Sequence, residues 1–240
     1  MILSQKTTRR GFDAEDYKWF SDDSISKLKI AQQEVGWLLD RGYKMSSIVD
    51  LVGGHYQLTA RQRTALKRAT SSTIQCEERK SNMLSFEACK DGCLYIDGFN
   101  LIITLEVALS KSLLILGNDG VLRDLAGLRG TYRIIDKTDE ALKLIGKTFK
   151  ELYVPEAKFF LDSPVSNSGR LKSKILEHSY DWDIPVEVEL VPNADIILSK
   201  MERVVTGDSI ILDECNSWFN LSSKIVEEYI NNTWVVNFHG

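Results

Sequence analysis

Residues 93–109, CLYIDGFNLIITLEVAL, constrain the fold more than any other stretch of the chain. The apolar opening, Cys93 to Ile96, reads as a buried strand. Asp97-Gly98-Phe99-Asn100 interrupts the run, and an apolar segment of helical length follows. A buried strand feeding a buried helix is the repeating unit of an α/β sheet, where ligands sit beyond the carboxyl ends of the strands. Asp97 falls at such an end. Gly98 is expected to let the backbone turn, and Asn100 follows at the helix start. Asp97 also suits a helix N-cap, so capping and ligand binding both stand as readings.

The pattern repeats downstream. Residues 112–116, 157–161, 186–191, 204–205 and 218–221 read as strands, alternating with helical stretches at 138–150, from the 163–170 loop to 178, 194 onward and 222–230. That alternation predicts an α/β fold with a mostly parallel sheet and helices on both faces. Asp162 and Asp208 each end a strand, and Asp195 opens a helix just after one. Parallel strands bring their ends to one edge, so Asp97, Asp162, Asp195 and Asp208 are expected to converge. Clustered carboxylates repel unless a cation neutralises them, which points to Mg²⁺ or Mn²⁺. The alternative is that several of them are helix caps and turn formers.

Charge divides the chain. Residues 1–90 carry 15 Lys/Arg against 11 Asp/Glu, and residues 91–240 carry 15 against 23. A basic head on an acidic body suggests separate tasks. The head reads as helices at 13–20, 24–41, 46–52 and 60–69, with Ser24 and Thr59 as N-caps and Gly53-Gly54 ending the third. A short helix, a turn and a helix bearing Arg61, Arg63, Lys67 and Arg68 outline a helix-turn-helix-like domain over residues 1–80. Those four cations are candidate nucleic-acid contacts, DNA included, or a solvated face. Residues 71–92 are polar and read as a linker, with a helical turn in it, to the second domain, residues 91–240.

Other features narrow the class. No apolar run is long enough to span a bilayer, so no membrane association is expected. The first twenty residues lack a secretory signal pattern. The cysteines (76, 89, 93 and 215) match no zinc-finger spacing and suit reduced thiols in the cytoplasm. The loop Ser166-Asn167-Ser168-Gly169-Arg170 offers hydroxyls and a helix start to an anion, or simply caps a helix. Arg123, between Asp119 and Asp124, suits either a phosphate or those acids. Glu106 and Asp213 read as peripheral.

Taken together, YIDGFNLIITLE, NADIIL and VVTGDSIIL resemble motifs of PIN-like domains, the NYN branch above all. The likeness covers about residues 91–230. The chain as a whole also resembles an uncharacterised prokaryotic family that joins a helical domain to a PIN-like one. The resemblance implies a metal-dependent endoribonuclease that hydrolyses RNA phosphodiesters, with Asp97, Asp195 and Asp208 as its catalytic acids and RNA as its partner. The family's second acidic residue, often a Glu on a helix, has no counterpart here; Asp162, Asp119 and Asp124 are the alternatives. A degenerate PIN-like domain that binds nucleic acid without cutting it is the competing reading. Gly207-Asp208 and Asp213 also resemble the metal motif of haloacid-dehalogenase-type phosphatases, but Phe99 stands where that superfamily needs its general acid. A homo-oligomer is compatible with either reading.

Overall fold

A computed structural model of the chain describes residues 8–127 and 130–239. The first seven residues of the N-terminal segment lie outside it. Five parallel strands form the main sheet: β1 (Leu94–Asp97), β4 (Ala157–Asp162), β5 (Val186–Val191), β6 (Val204–Val205) and β7 (Trp218–Phe219), in the order β5-β4-β1-β6-β7. The chain leaves β1 toward β4 and β5, then returns to the other side of β1 for β6 and β7. The strand order therefore reverses at the β1/β6 boundary. In register, Ile96 faces Val205 and Asp97 faces Phe160.

The α/β class and the mostly parallel sheet follow the apolar alternation in the sequence. One strand joins a different sheet. β2 (Leu113–Leu116) pairs with β3 (Leu122–Asp124) and β8 (Trp234–Asn237) in a second, three-stranded sheet of order β3-β2-β8. Periodicity marks a strand but says nothing of its partner. β3 is only three residues long, too short for any periodic signal.

Helix α6 (Gly98–Leu109) explains the unbroken apolar run that follows Asp97. It packs on β4, on the second sheet, and on α7 (Asp136–Glu151) and α11 (Leu221–Tyr229), so Phe99 to Ala108 are buried on every side except at Asn100. Gly98 has a different task from the one expected. It has no positive φ; a Cβ there would lie 2.6 Å from Leu161 Cδ2 and 3.2 Å from the Phe160 carbonyl. The glycine lets the helix start against β4.

The N-terminal half is helical throughout: α1 (Asp16–Trp19), α2 (Asp22–Leu39), α3 (Met45–His55), α4 (Ala60–Ala69) and α5 (Thr73–Asn82). Helix α2 begins after Ser21 rather than Ser24, and Gly53-Gly54 lie inside α3 instead of ending it. Thr59 caps α4 as expected, in a reciprocal pair with Gln62. Leu28, Val35, Val52, Ala65 and Leu66 of these helices share one core with Leu113, Ile115, Leu125, Val236 and Phe238 around the second sheet.

The polar stretch 71–92 is not an open linker. It forms α5, with a Ser72/Gln75 capping box, and a 3-10 turn (Phe86–Asp91). At its centre Arg79 is 1% exposed. It bonds Asp119 at 2.5 Å, Asp213 at 2.5 Å and the Ser71 hydroxyl at 2.6 Å, while its carbonyl accepts the Trp218 indole N–H. Composition hid this because a buried Arg with partners looks like a solvated one in sequence. Removing one member of a buried ion pair strands the other and costs on the order of 3 kcal/mol. We expect Arg79→Ala to lower the unfolding free energy by about that much in urea titration. Lys150→Ala, at an exposed pair 2.8 Å from Asp183, should cost far less. Equal losses would show that the burial of Arg79 carries no weight.

Candidate functional site

The carboxyl ends of β1 and β6 meet where the strand order reverses, which is where open α/β sheets place ligands. Asp97 ends β1 and is 7% exposed. One of its oxygens accepts the Asn100 N–H at 3.3 Å, capping α6, so the capping reading holds for that oxygen. The other accepts the Thr206 hydroxyl at 2.9 Å. That same hydroxyl accepts the Asp208 N–H at 3.0 Å and so ties the two acidic residues to one oxygen. Asp208 in turn caps α10 (Ser209–Glu214) by accepting the Ile210 N–H.

The turn carrying Asp208 is gripped from both sides. Gly207 donates its N–H to Asn100 Oδ1 at 2.7 Å, and its carbonyl accepts from Arg123 Nε at 2.8 Å. A Cβ on Gly207 would stand 3.1 Å from the Leu122 carbonyl and 3.3 Å from Asn100 Oδ1, so the backbone has little room for a side chain. Arg123 is held by both oxygens of Asp119, at 2.9 and 2.6 Å. Burial alone would raise the Asp119 pKa, but Arg123 and Arg79 outweigh it and hold the carboxyl below its ordinary value.

Asp195 opens α9 (Ala194–Leu198), and Asp162 at the end of β4 accepts the Ala194 N–H at 2.8 Å. A cleft of about 690 Å³ opens above this edge. Asp97, Asn100, Asp195 and Asp208 line it together with Thr64, Lys67 and Arg68 of α4 and Arg79 of α5. Asp213 and Asp124 also reach it, but they are bound to Arg79 and Arg68. Among the described residues, no Lys, Arg or His comes within ion-pair distance of Asp97, Asp162, Asp195 or Asp208. The acids at the switch point are bare, and those around them are neutralised.

Their pKa values follow from this. Burial, first, and then the charges of Asp208 and Asp195 push Asp97 up to about 7, against the pull of Thr206 and Asn100. Burial, then Asp208 and Asp162, also raises Asp195. Among the described residues, no group of three or more His, Cys, Asp or Glu stands close enough to share one metal ion. A divalent ion here would rest on two carboxylates, with water or substrate completing its shell.

The remaining sequence candidates lie elsewhere. Ser166 and Asn167 fasten their loop to residues 130–132: the Ser166 N–H donates to the Gly130 carbonyl and the Asn167 amide to that of Tyr132. Ser168 is buried at the start of α8 (Ser168–Ser179), and neither it nor exposed Arg170 lines the cleft. Arg123 lines the cleft but is committed to Asp119 and Gly207. Arg61 is committed to Asp16 at 2.5 and 2.7 Å and to two carbonyls, and Arg63 to the Leu58 carbonyl. Glu106 is buried among Arg10, Tyr132 and Thr138, away from the cleft, so it does not supply the missing acid. The residues the sequence reading missed are Arg79 and Thr206. Thr206 stood within the quoted Thr-Gly-Asp motif, and Arg79 carried no signal.

The chain belongs to the family described as Domain of unknown function (DUF5616), which matches residues 86–224. Residues 27–82 match a second description, Protein of unknown function (DUF434). An uncharacterised protein of the archaeon Methanocaldococcus jannaschii, MJ0935, is 33% identical over 186 residues, covering 78% of this chain and 89% of that protein. These matches support the uncharacterised prokaryotic family that the sequence resembles. No solved structure matches the chain. No helix among the described residues is long and apolar enough to cross a membrane.

The raised pKa of Asp97 fixes the sign of a pH effect. Between ~4 and about 7 the folded chain keeps a proton on Asp97 that the unfolded chain releases, so folding stability falls as pH rises through that window. Asp97→Asn lacks this proton. In chelator, its stability relative to wild type should therefore climb by up to about 1.4 kcal/mol per pH unit between ~pH 4 and 7 and level off above. Urea unfolding across that range checks it. A difference that stays constant with pH would mean that Asp97 titrates normally.

Proposed function

We propose that the chain is a metal-dependent ribonuclease of PIN-like type, acting on RNA phosphodiesters at the β1/β6 edge. One observation carries the reading: Asp97, Asp195 and Asp208 stand without a cation among the described residues where the strand order reverses, while Asp119, Asp124 and Asp213 beside them each have an arginine. Desolvating a carboxylate beside two others is costly, and a bound divalent ion removes that cost. The donors are hard oxygens, which suit Mg²⁺ or Mn²⁺, and Mg²⁺ commonly rests on one or two carboxylates plus a substrate phosphate. Asp97 and Asp208, joined through Thr206, would hold the ion, with Asp195 and Asp162 behind them. When bound, such an ion supplies Lewis-acid stabilisation of charge at the phosphoryl and leaving oxygens.

The protein groups have defined work in this reading. Thr206 and Asn100 orient Asp97 through one bond to each oxygen. Arg123 holds the Gly207 peptide, and with it the direction of Asp208. Residues 91–240 serve as the PIN-like domain and residues 1–80 as a helical, helix-turn-helix-like one, with RNA as the partner and DNA as the alternative through α4. The second reading, a nucleic-acid-binding module that does not cut, is favoured by the absence of three acids in ligand reach among the described residues. The phosphatase reading is weakened by Asp213, which is occupied by Arg79 and Gln75.

Single-stranded RNA incubated with Mn²⁺ should be cut by the wild type. Asp208→Asn should slow cutting at least ~100-fold, about 2.7 kcal/mol of transition-state stabilisation, with an unchanged urea midpoint. Calorimetry should show weaker Mn²⁺ binding in the same variant. Uncut RNA together with normal Mn²⁺ binding would leave the binding module as the function.

A further inference from the structure

Helix α4 has spent most of its polar groups. Arg61 is held by Asp16, Gln62 is buried against Thr59 and the Trp19 carbonyl, and Arg63 folds back onto the Leu58 carbonyl beside Gly53. Ala65, Leu66 and Ala69 are in the core. What remains toward solvent after the first turn is Lys67 and Arg68, with Thr64, whose hydroxyl donates to the Ala60 carbonyl; all three line the same cleft as Asp97, Asp195 and Asp208. The Arg68 guanidinium sits 3.5 Å from Asp124 Oδ1 with its side chain 36% exposed. Lys67 is exposed and has no acidic partner among the described residues.

The cleft is thus bipolar: it is lined by carboxylates without a cation and by Lys67, which has no acidic partner among the described residues, while Arg68 is shared with Asp124. A ligand that fits both must carry one anionic group for a cation held at the acids and another for α4. A polyphosphate backbone has such groups at regular intervals. The volume, about 690 Å³, is that of a small-ligand site and suits a short stretch of one strand.

We propose that Lys67 and Arg68 form a phosphate-binding wall for the same strand whose neighbouring phosphate lies at the acidic edge, so that the helical unit and the sheet grip one strand between them. This rests on the ribonuclease reading of the acids. It makes α4 one side of the cleft rather than a separate reader of duplex DNA.

The test is fluorescence anisotropy of the full chain with a short labelled single-stranded oligouridylate in EDTA, where nothing is cut. Replacing Lys67 and Arg68 together by Gln should weaken binding about tenfold. It should also lower the slope of log affinity against log salt by about 1.4, the release expected for two single-strand phosphate contacts. Lys67→Gln alone, at an exposed position, should lose about half of that slope and guards against a folding effect of the Arg68 change. Asp208→Asn should bind in EDTA at least as tightly as wild type. Unchanged slopes in both variants, no binding by wild type, or a duplex of the same length competing as well as the strand would each overturn the proposal. Binding that depends on Lys67 in EDTA, with no cutting in Mn²⁺, would keep the wall and remove the ribonuclease reading.

Discussion

The arrangement of the cleft depends on a buried chain of charges, Arg79–Asp119–Arg123, ending on the Gly207 carbonyl. Arg79 comes from α5, Asp119 from the turn between β2 and β3, and Arg123 from β3. Residues 79, 119–123 and 207, distant in sequence, thus meet through bonds of 2.5 to 2.9 Å, and Arg123 holds the turn that carries Asp208. A buried ion-pair chain contributes little net stability compared with an apolar core of the same volume. What it contributes here is direction, because a guanidinium binding a carboxylate with two nitrogens has one geometry. The helical half is tied into the site by Arg79 in addition to the core that it shares with the second sheet.

Two kinds of carboxylate surround the cleft, and the difference between them is electrostatic rather than topological. Asp119 is enclosed by Arg79 and Arg123, and its pKa stays low despite burial. Asp97 is equally enclosed but has only a hydroxyl and a backbone N–H for company, and its pKa rises. One neutral bond per oxygen orients a carboxylate without neutralising it. The same fold therefore builds a permanently charged brace and, a few residues away, an acid whose charge waits on another cation.

The sequence showed the elements better than their company. The run at β1 and α6, the strand tips with Asp97, Asp162 and Asp208, and the helix opened by Asp195 were all legible, because burial on both faces writes a continuous apolar signal. Membership of β2 in a second sheet was not, since a four-residue apolar strand looks the same in either. The stretch around Arg79 read as a linker because buried and solvated arginines are the same letter. Gly98 was found for the wrong reason: a close approach to β4 and a tight turn both ask for glycine, and only coordinates separate them. Arg61 and Arg63 looked like a basic face alongside Lys67, whereas their partners, Asp16 and Leu58, lie on segments whose approach no helical period reports.

Because the first helical turns are used up in holding the molecule together, the division of labour along α4 follows its own axis. Its N-terminal half caps and anchors: Thr59 with Gln62, Arg61 with Asp16, Arg63 with Leu58. Its C-terminal half, with Lys67 and Arg68, lines the cleft that the acids also line. Cations in the last turn of a helix are favoured by the carbonyl end of its dipole, so their place costs the helix nothing. The same carbonyl end is the wrong one for an anion, and a phosphate there needs those side chains, since the backbone offers it only oxygen. A buried carboxylate with no cation beside it among the described residues is unfavourable, and an exposed lysine in the same cleft is free to bind an anion, so a strand of phosphates with a divalent ion would suit both.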